Sequence, residues 1–245
     1  MKADPDAQRR LLDLQAIDTS LAQLAHRRRS LPEHAELDAL ARKIVGLDDE
    51  RVKAQVGVDD LDRDIARLER DIDQVRARAD KDRARLDAGT GPARELEALQ
   101  HELATLTRRQ TELEDAELEL MEQREAADAA LAEVTQRLTA TRDEREETER
   151  RRDAALAEID KESEWKAKSR VPLAGDLPAD LVALYEKIRE STGMGAALLR
   201  SGRCGGCRLE LSGSEKARVK ATPADEVVRC DECGRILVRT EESGL

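Results

Sequence analysis

Four cysteines, Cys204, Cys207, Cys230 and Cys233, are the residues of this sequence best placed to do chemistry. They form two Cys-x-x-Cys pairs, Cys204-Gly205-Gly206-Cys207 and Cys230-Asp231-Glu232-Cys233, separated by 22 residues. Two-residue spacing lets both thiolates of a pair reach one tetrahedral metal ion, and the two pairs together supply four ligands at about 2.3 Å. One structural Zn2+ is the expected occupant. A catalytic zinc keeps one position open for water, and four thiolates leave none. Dithiol redox chemistry is the competing use of a single Cys-x-x-Cys, but two pairs favour a closed tetrathiolate. No cysteine occurs before residue 200, and this pattern suits a metal site in a reducing compartment better than a set of disulfides.

The chain around the cysteines reads as strands and turns. Arg208-Leu209-Glu210-Leu211 and Arg235-Ile236-Leu237-Val238 read as strands, the first alternating polar and apolar residues and the second a short apolar run. Residues 195–245 are therefore expected to form a zinc ribbon, too small for a large core and dependent on its metal for much of its folding free energy. Between residues 200 and 239 there are nine basic and six acidic residues, although the whole chain carries a net charge of −11. Arg203, Arg208, Arg218 and Arg229 are the candidate contacts to nucleic acid or a protein partner. The alternative is charge balance, since a tetrathiolate zinc site is formally −2 and attracts nearby arginines. The ribbon has no aromatic residue on which a base could stack.

What must position this ribbon is largely helical. Of the 245 residues, 40% are charged and 1% aromatic, with no Phe, one Trp (Trp165) and one Tyr (Tyr185). Such a chain lacks the aromatic mass of a thick core, yet 39% of it is apolar, which suits long helices that bury a narrow stripe. Positions 37 to 86 carry that stripe in alternating steps of three and four, from Leu37, Leu40, Ile44 and Leu47 through Val58, Leu61, Ile65, Leu68, Ile72 and Val75 to Leu86. Thirteen of the fifteen positions are apolar, the exceptions being Arg51 and Asp82. This is the seam of a left-handed coiled coil. It stops at Ala88-Gly89-Thr90-Gly91-Pro92, where Gly suits a helix end and Pro a helix start. A second seam begins at Leu96 and runs through Leu103, Leu106, Leu113, Leu120, Leu131 and Leu138, weakens across Thr141 to Arg152, and recovers at Ala155 and Ile159. Two long seams across a tight break imply an antiparallel hairpin.

The fold class is thus mainly α, a long antiparallel coiled-coil hairpin with a small C-terminal β zinc ribbon. Residues 1–168 are read as the hairpin with its tip at 88–92, residues 169–194 as a linker and short amphipathic helix, and residues 195–245 as the ribbon. Pro172, Gly175 and Pro178 mark the connection, and Leu181, Leu184, Tyr185 and Ile188 give the short helix its apolar side. A separate stripe, Leu14, Ile17, Leu21 and Leu24, predicts a first helix that ends before Pro32 and packs near the hairpin base. The polar seam residues Arg51, Asp82, Gln110, Glu117 and Arg124 either pair across the hairpin or are locally solvated.

The net negative charge argues against general affinity for nucleic acid or anionic membrane. No apolar run reaches the roughly 18 residues needed to span a bilayer, and Met1 to Arg10 lacks the apolar core of a signal peptide. A cytoplasmic location is the default expectation. The chain has no phosphate-binding glycine loop and no nucleophile elbow, so neither an enzyme nor a small-molecule binder is expected.

The order of parts resembles the bacterial C4-type zinc-ribbon proteins built on a coiled-coil hairpin. Two stretches carry the resemblance. Ala93-Arg94-Glu95-Leu96-Glu97-Ala98-Leu99-Gln100-His101-Glu102 is similar to the family's signature at the start of the returning helix, with Leu96 where an aromatic often stands. Gly202-Arg203-Cys204-Gly205-Gly206-Cys207 with Val227-Val228-Arg229-Cys230-Asp231-Glu232-Cys233-Gly234-Arg235-Ile236-Leu237 is similar to the family's zinc knuckles and following strand. The resemblance implies that Cys204, Cys207, Cys230 and Cys233 are zinc ligands. Some members of that family act in flagellar or secretion systems, binding an alternative sigma factor or export components, and at least one has been linked to messenger RNA. The resemblance implies the architecture more firmly than the partner. The functional expectation is a non-enzymatic adaptor that binds one or more proteins, with nucleic-acid binding through the ribbon arginines as the alternative.

Overall fold

The computed structural model describes residues 1–244. Its elements are α1 (Pro5–Arg29), α2 (Pro32–Asp87), α3 (Ala93–Gly175), α4 (Ala179–Thr192), β1 (Ala196–Arg200), β2 (Arg203–Cys204), α5 (Gly213–Ala221), β3 (Val228–Arg229) and β4 (Ile236–Val238). The chain divides into two compact units. One holds residues 35–149; the other joins residues 1–34 to residues from 150 onward.

The 35–149 unit is the helical hairpin. Every seam position of α2 from Leu37 to Leu86 is buried or half-buried, and the flanking positions are mostly exposed. The same holds for the α3 seam from Leu96 to Thr148, Arg145 excepted. The helices are joined by residues 88–92, and Gly89 has φ 62°, the left-handed conformation that ends a helix. Charged pairs cross the hairpin and fix its register: Arg124 to Asp62 at 2.5 Å, Arg76 to Glu114 at 2.5 Å, Arg78 to Glu102 at 2.6 Å and Arg137 to Glu50 at 3.1 Å. The polar seam residues divide. Arg124 pairs across the hairpin, whereas Arg51 and Gln110 bond along their own helices, to Asp48 and Glu114. Asp82 is buried and lies 4.0 Å from Arg85 of its own helix.

In the other unit, α1, the end of α3, α4 and the sheet share a core. The sheet has the order β2-β1-β4-β3. β1 and β4 are parallel, pairing Ala196 with Ile236, Ala197 with Leu237 and Leu198 with Val238, while β2 and β3 are antiparallel to their neighbours. Side chains alternate across a strand, and β4 uses both faces. Ile236 and Val238 join Leu11 and Leu14 of α1 and Leu181, Tyr185 and Ile188 of α4, whereas Leu237 joins Leu199, Leu211, Val219 and Val228 around the cysteines. Leu24, Leu31 and Ile159 form a further cluster where α1 packs on α3, as the first helix's stripe led one to expect.

The path between hairpin and ribbon differs from the expected linker. α3 continues past Lys168 through Pro172 to Gly175. A proline within a helix removes a backbone hydrogen bond, but here Leu173 and Ala174 pack against the core and offset that loss. Only residues 176–178 separate α3 from α4. Residues 171–178 pack on the core through Leu173, Ala174 and Leu177 and are otherwise exposed. The chain start is tied in as well: Ala3 N–H donates to Asp225 O at 2.7 Å and Val227 N–H to Met1 O at 3.0 Å, so residues 1–3 extend the ribbon's edge.

A buried polar cluster organises α1 against α4. Asp18, 3% exposed at its side chain, accepts from Arg170 Nε at 2.6 Å and Arg170 Nη2 at 3.1 Å, and from the Tyr185 hydroxyl at 2.7 Å. Arg170 also reaches Glu186, which in turn holds Arg189. One turn earlier on α1, Gln15 Oε1 accepts the Gly195 N–H at 2.7 Å and sets the start of β1. Gly195 leaves no room for a side chain, since a Cβ there would lie 2.5 Å from Tyr185 Cδ2 and 2.6 Å from its carbonyl oxygen.

Burial favours the protonated form of Asp18, but the bonds from Arg170 and Tyr185 and the charges of Arg170 and Arg189 outweigh it and hold its carboxyl below the usual range. The sign follows: a depressed folded pKa stabilises the fold above the ordinary carboxylate value of ~4, and the stabilisation disappears as pH falls through the folded value. Denaturant titrations across the acidic range should show this loss in the parent protein and a flattened profile in Asp18→Asn. At neutral pH, Asp18→Ala should cost ~3–5 kcal/mol by removing the buried acceptor shared by Arg170 and the Tyr185 hydroxyl, and Gly195→Ala about 1–3 kcal/mol by overpacking Tyr185.

Candidate metal centre

The sheet brings the two cysteine pairs together from opposite sides. Cys204 ends β2 and Cys207 follows in the first turn, while Cys230 follows β3 and Cys233 precedes β4. Each pair sits in a turn closed by a backbone bond: Arg208 N–H to Cys204 O at 2.8 Å and Gly234 N–H to Cys230 O at 2.8 Å. The four Sγ atoms lie within 4.8 Å of one another. Cys204 and Cys233 are 3.7 Å apart and Cys207 and Cys230 3.9 Å. A tetrahedron with zinc–sulfur bonds of about 2.3 Å has edges of about 3.8 Å, so the donor set fits one Zn2+ held by Cys204, Cys207, Cys230 and Cys233.

The backbone prepares the sulfurs for negative charge. Amides of Gly206 and Cys207 point at Cys204, those of Glu232 and Cys233 at Cys230, and that of Arg235 at Cys233. Burial nevertheless pushes the Cys204 thiol up and the Cys230 thiol up to about 12. At Cys233 burial is outweighed by the Arg235 amide and guanidinium and by neighbouring thiols, bringing it to about 7. Zinc binding must displace these protons, so acid works against metal retention.

Several residues support the knuckles without contacting the metal. Glu215, 4% exposed, accepts the Asp231 N–H at 2.9 Å and so ties α5 to the second knuckle. Ser212 caps α5 by accepting from Glu215 N–H at 3.2 Å. The Arg239 guanidinium donates to the carbonyls of Val219, Thr222, Pro223, Ala224 and Glu226, gathering the loop between α5 and β3. Sequence reasoning missed Glu215, Arg239, Gln15 and Asp18, because nothing in their local spacing distinguishes them from surface polar residues.

The four arginines considered as contact residues do not form one patch of free charge. Arg203 faces Glu210 at 3.6 Å, Arg218 bonds Asp231 at 2.6 Å, and Arg229 Nε donates to Gly234 O at 2.7 Å. Arg208 is exposed, has φ 63°, and has no ion pair among the described residues. Three of the four therefore act first within the ribbon.

Removal of the metal is expected to open the knuckles and spare the hairpin. Chelation, or the Cys204→Ser and Cys230→Ser changes, should abolish zinc in elemental analysis and expose the thiols to a labelling reagent. Helical circular dichroism should remain mostly intact, because the seams of α2 and α3 contain no part of the site.

Comparison with known proteins agrees with this anatomy. A CT398-like coiled coil hairpin domain matches residues 14–193, and a C4-type zinc ribbon domain matches residues 203–237, which contain all four cysteines. An uncharacterized protein of Mycobacterium tuberculosis (strain H37Rv) is 40% identical over 241 residues, 98% of each chain. A solved structure from Mycobacterium smegmatis superposes with a TM-score of 0.85 at 41% identity, covering 98% of this chain and 100% of that one. CT398 from Chlamydia trachomatis superposes at 0.65 with 19% identity over 95% and 97% of the two chains, a likeness of fold alone. With both its hairpin and its ribbon matched, the chain belongs to the family of CT398-like coiled-coil hairpin proteins that carry a C4-type zinc ribbon.

Proposed function

We propose that this zinc-binding structural protein is a non-enzymatic adaptor whose hairpin receives a protein partner. One observation carries the reading. Val45, Val52 and Val56 of α2 are 63%, 48% and 50% exposed, and steps of seven and four residues place them along one side of the helix. They lie outside the seam that faces α3. On a surface otherwise rich in Asp, Glu, Arg and Lys, an apolar row at helical spacing is the pattern by which one helix receives another. Leu118 and Met121 on α3 are exposed too. Four thiolates give a bound zinc no open position for substrate or water, which supports a structural role for the metal. No helix among the described residues is long and apolar enough to cross a membrane, and a partner in the cytoplasm is the simplest assignment.

The nucleic-acid alternative rests mainly on Arg208, because Arg203, Arg218 and Arg229 have partners within the ribbon. Both readings are separable without cutting the ribbon away, a deletion that would strip β4 from the core of α1 and α4. A photo-crosslinker placed beside Val52 in the zinc-loaded full chain should trap discrete proteins that survive nuclease treatment, and Val52→Glu with Val56→Glu should abolish the capture. Capture that disappears with nuclease or with Arg208→Glu, and ignores the valines, would overturn the adaptor reading in favour of nucleic acid.

A further inference from the structure

Arg235 lies where the two knuckles, α4 and β4 meet, and its environment differs from that of every other arginine in the ribbon. It follows Cys233 and Gly234 and immediately precedes β4. Its guanidinium stands against Cys233 of the second knuckle. Its stem covers the first: a Cβ on Gly206 would lie 2.6 Å from Arg235 Cδ and 3.3 Å from Nε. Its Nη2 donates to the carbonyl of Thr192, the last residue of α4, at 2.9 Å. Its Nε is buried without a hydrogen-bond partner among the described residues. A buried guanidinium N–H that meets no oxygen is costly in a neutral setting. Beside four thiolates around Zn2+, with a formal charge of −2, the same group faces the opposite charge.

We propose that Arg235 couples zinc occupancy to the seating of α4. With the metal bound, the guanidinium offsets the tetrathiolate and is held in one orientation, and in that orientation it ties down the open carbonyl end of α4. Without the metal, the first knuckle is no longer held against the Arg235 stem at Gly206, and the bond to Thr192 loosens with it. Met194, two residues on, packs against the cysteine cluster, and Gly195 is held by Gln15 of α1. The end of α4 is therefore the place where the helical core senses whether the ribbon carries its ion. Arg235 is a positioning residue in this scheme and does not ligate the metal.

The test uses the full-length chain and two readouts. The first is the rate of zinc release to a chromogenic chelator. The second is hydrogen exchange at residues 189–195, measured zinc-loaded and zinc-stripped. In the parent protein, stripping should lower protection across 189–195. Arg235→Gln should release zinc about ten- to a hundredfold faster, as loss of an outer-shell partner does, and its 189–195 protection should no longer respond to the metal. Gly206→Ala, which removes no charge and no ligand but displaces the Arg235 stem, should shift both readouts in the same direction. Cobalt substitution gives the fold control, since a preserved thiolate charge-transfer spectrum shows that the variant site is still assembled. Parent protection that ignores stripping, or zinc release from an assembled Arg235→Gln site at the parent rate, would overturn the proposal.

Discussion

The unit that contains the ribbon depends on a three-residue strand with no free face. Ile236, Leu237 and Val238 are each fully buried. The outer two face α1 and α4, and the middle one faces the cysteine cluster. Because side-chain direction alternates strictly along a strand, a slip of one residue would send Leu237 into the helices and Ile236 into the zinc side. The register is pinned from both flanks, by β1 in parallel and by β3 antiparallel. An isolated zinc ribbon has a metal on one side and solvent on the other. Here the second side is a helical core, and the ribbon and the helices are two faces of one folded body.

The hairpin solves a different problem with different means. With almost no aromatic residues, it relies on the summed burial of Leu, Ile, Val and Ala along one seam, each contributing a modest amount. Most of the ion pairs on its surface are exposed and contribute little individually. Their value lies in placement: Arg124 with Asp62 and Arg76 with Glu114 hold successive levels of the hairpin in register, where a uniform apolar seam would tolerate sliding by a heptad. The buried Asp18 cluster works in the same way at higher cost, since its charges are withdrawn from water and must all be satisfied.

Much of this was legible in the sequence, and the parts that were not share a cause. Local periodicity betrays whatever repeats along one helix, so the seams, the tip at 88–92 and the buried side of α4 could be read directly. The cysteine spacing named its own chemistry. The route from α3 to α4 was misjudged at Pro172, because the local penalty of a proline is visible in sequence and the packing of Leu173 and Ala174 that offsets it is not. Gln15, Asp18, Glu215 and Arg239 act on partners 16 to 180 residues away or on scattered carbonyls, and no window of sequence contains both ends of such a bond. The ribbon arginines show the reverse. Their number suggested an external anion, but most of that charge is spent on neighbouring acids, on carbonyls and, at Arg235, on the metal centre.

The pairing of residues 1–3 with residues 225–227 bears on how the molecule is assembled. Lys2 and Asp225 meet across 223 positions, about as non-local as a contact in this chain can be. During translation residues 1–3 leave the ribosome long before residues 225–227 exist, and so do the apolar side chains of α1 that face β4. The helical seams close through short loops and can form early, whereas contacts of such high contact order form late. Until β1 and β4 have been made, then, α1 has no sheet to cover it, and the ribbon, which emerges long after α1, is what ends that exposure.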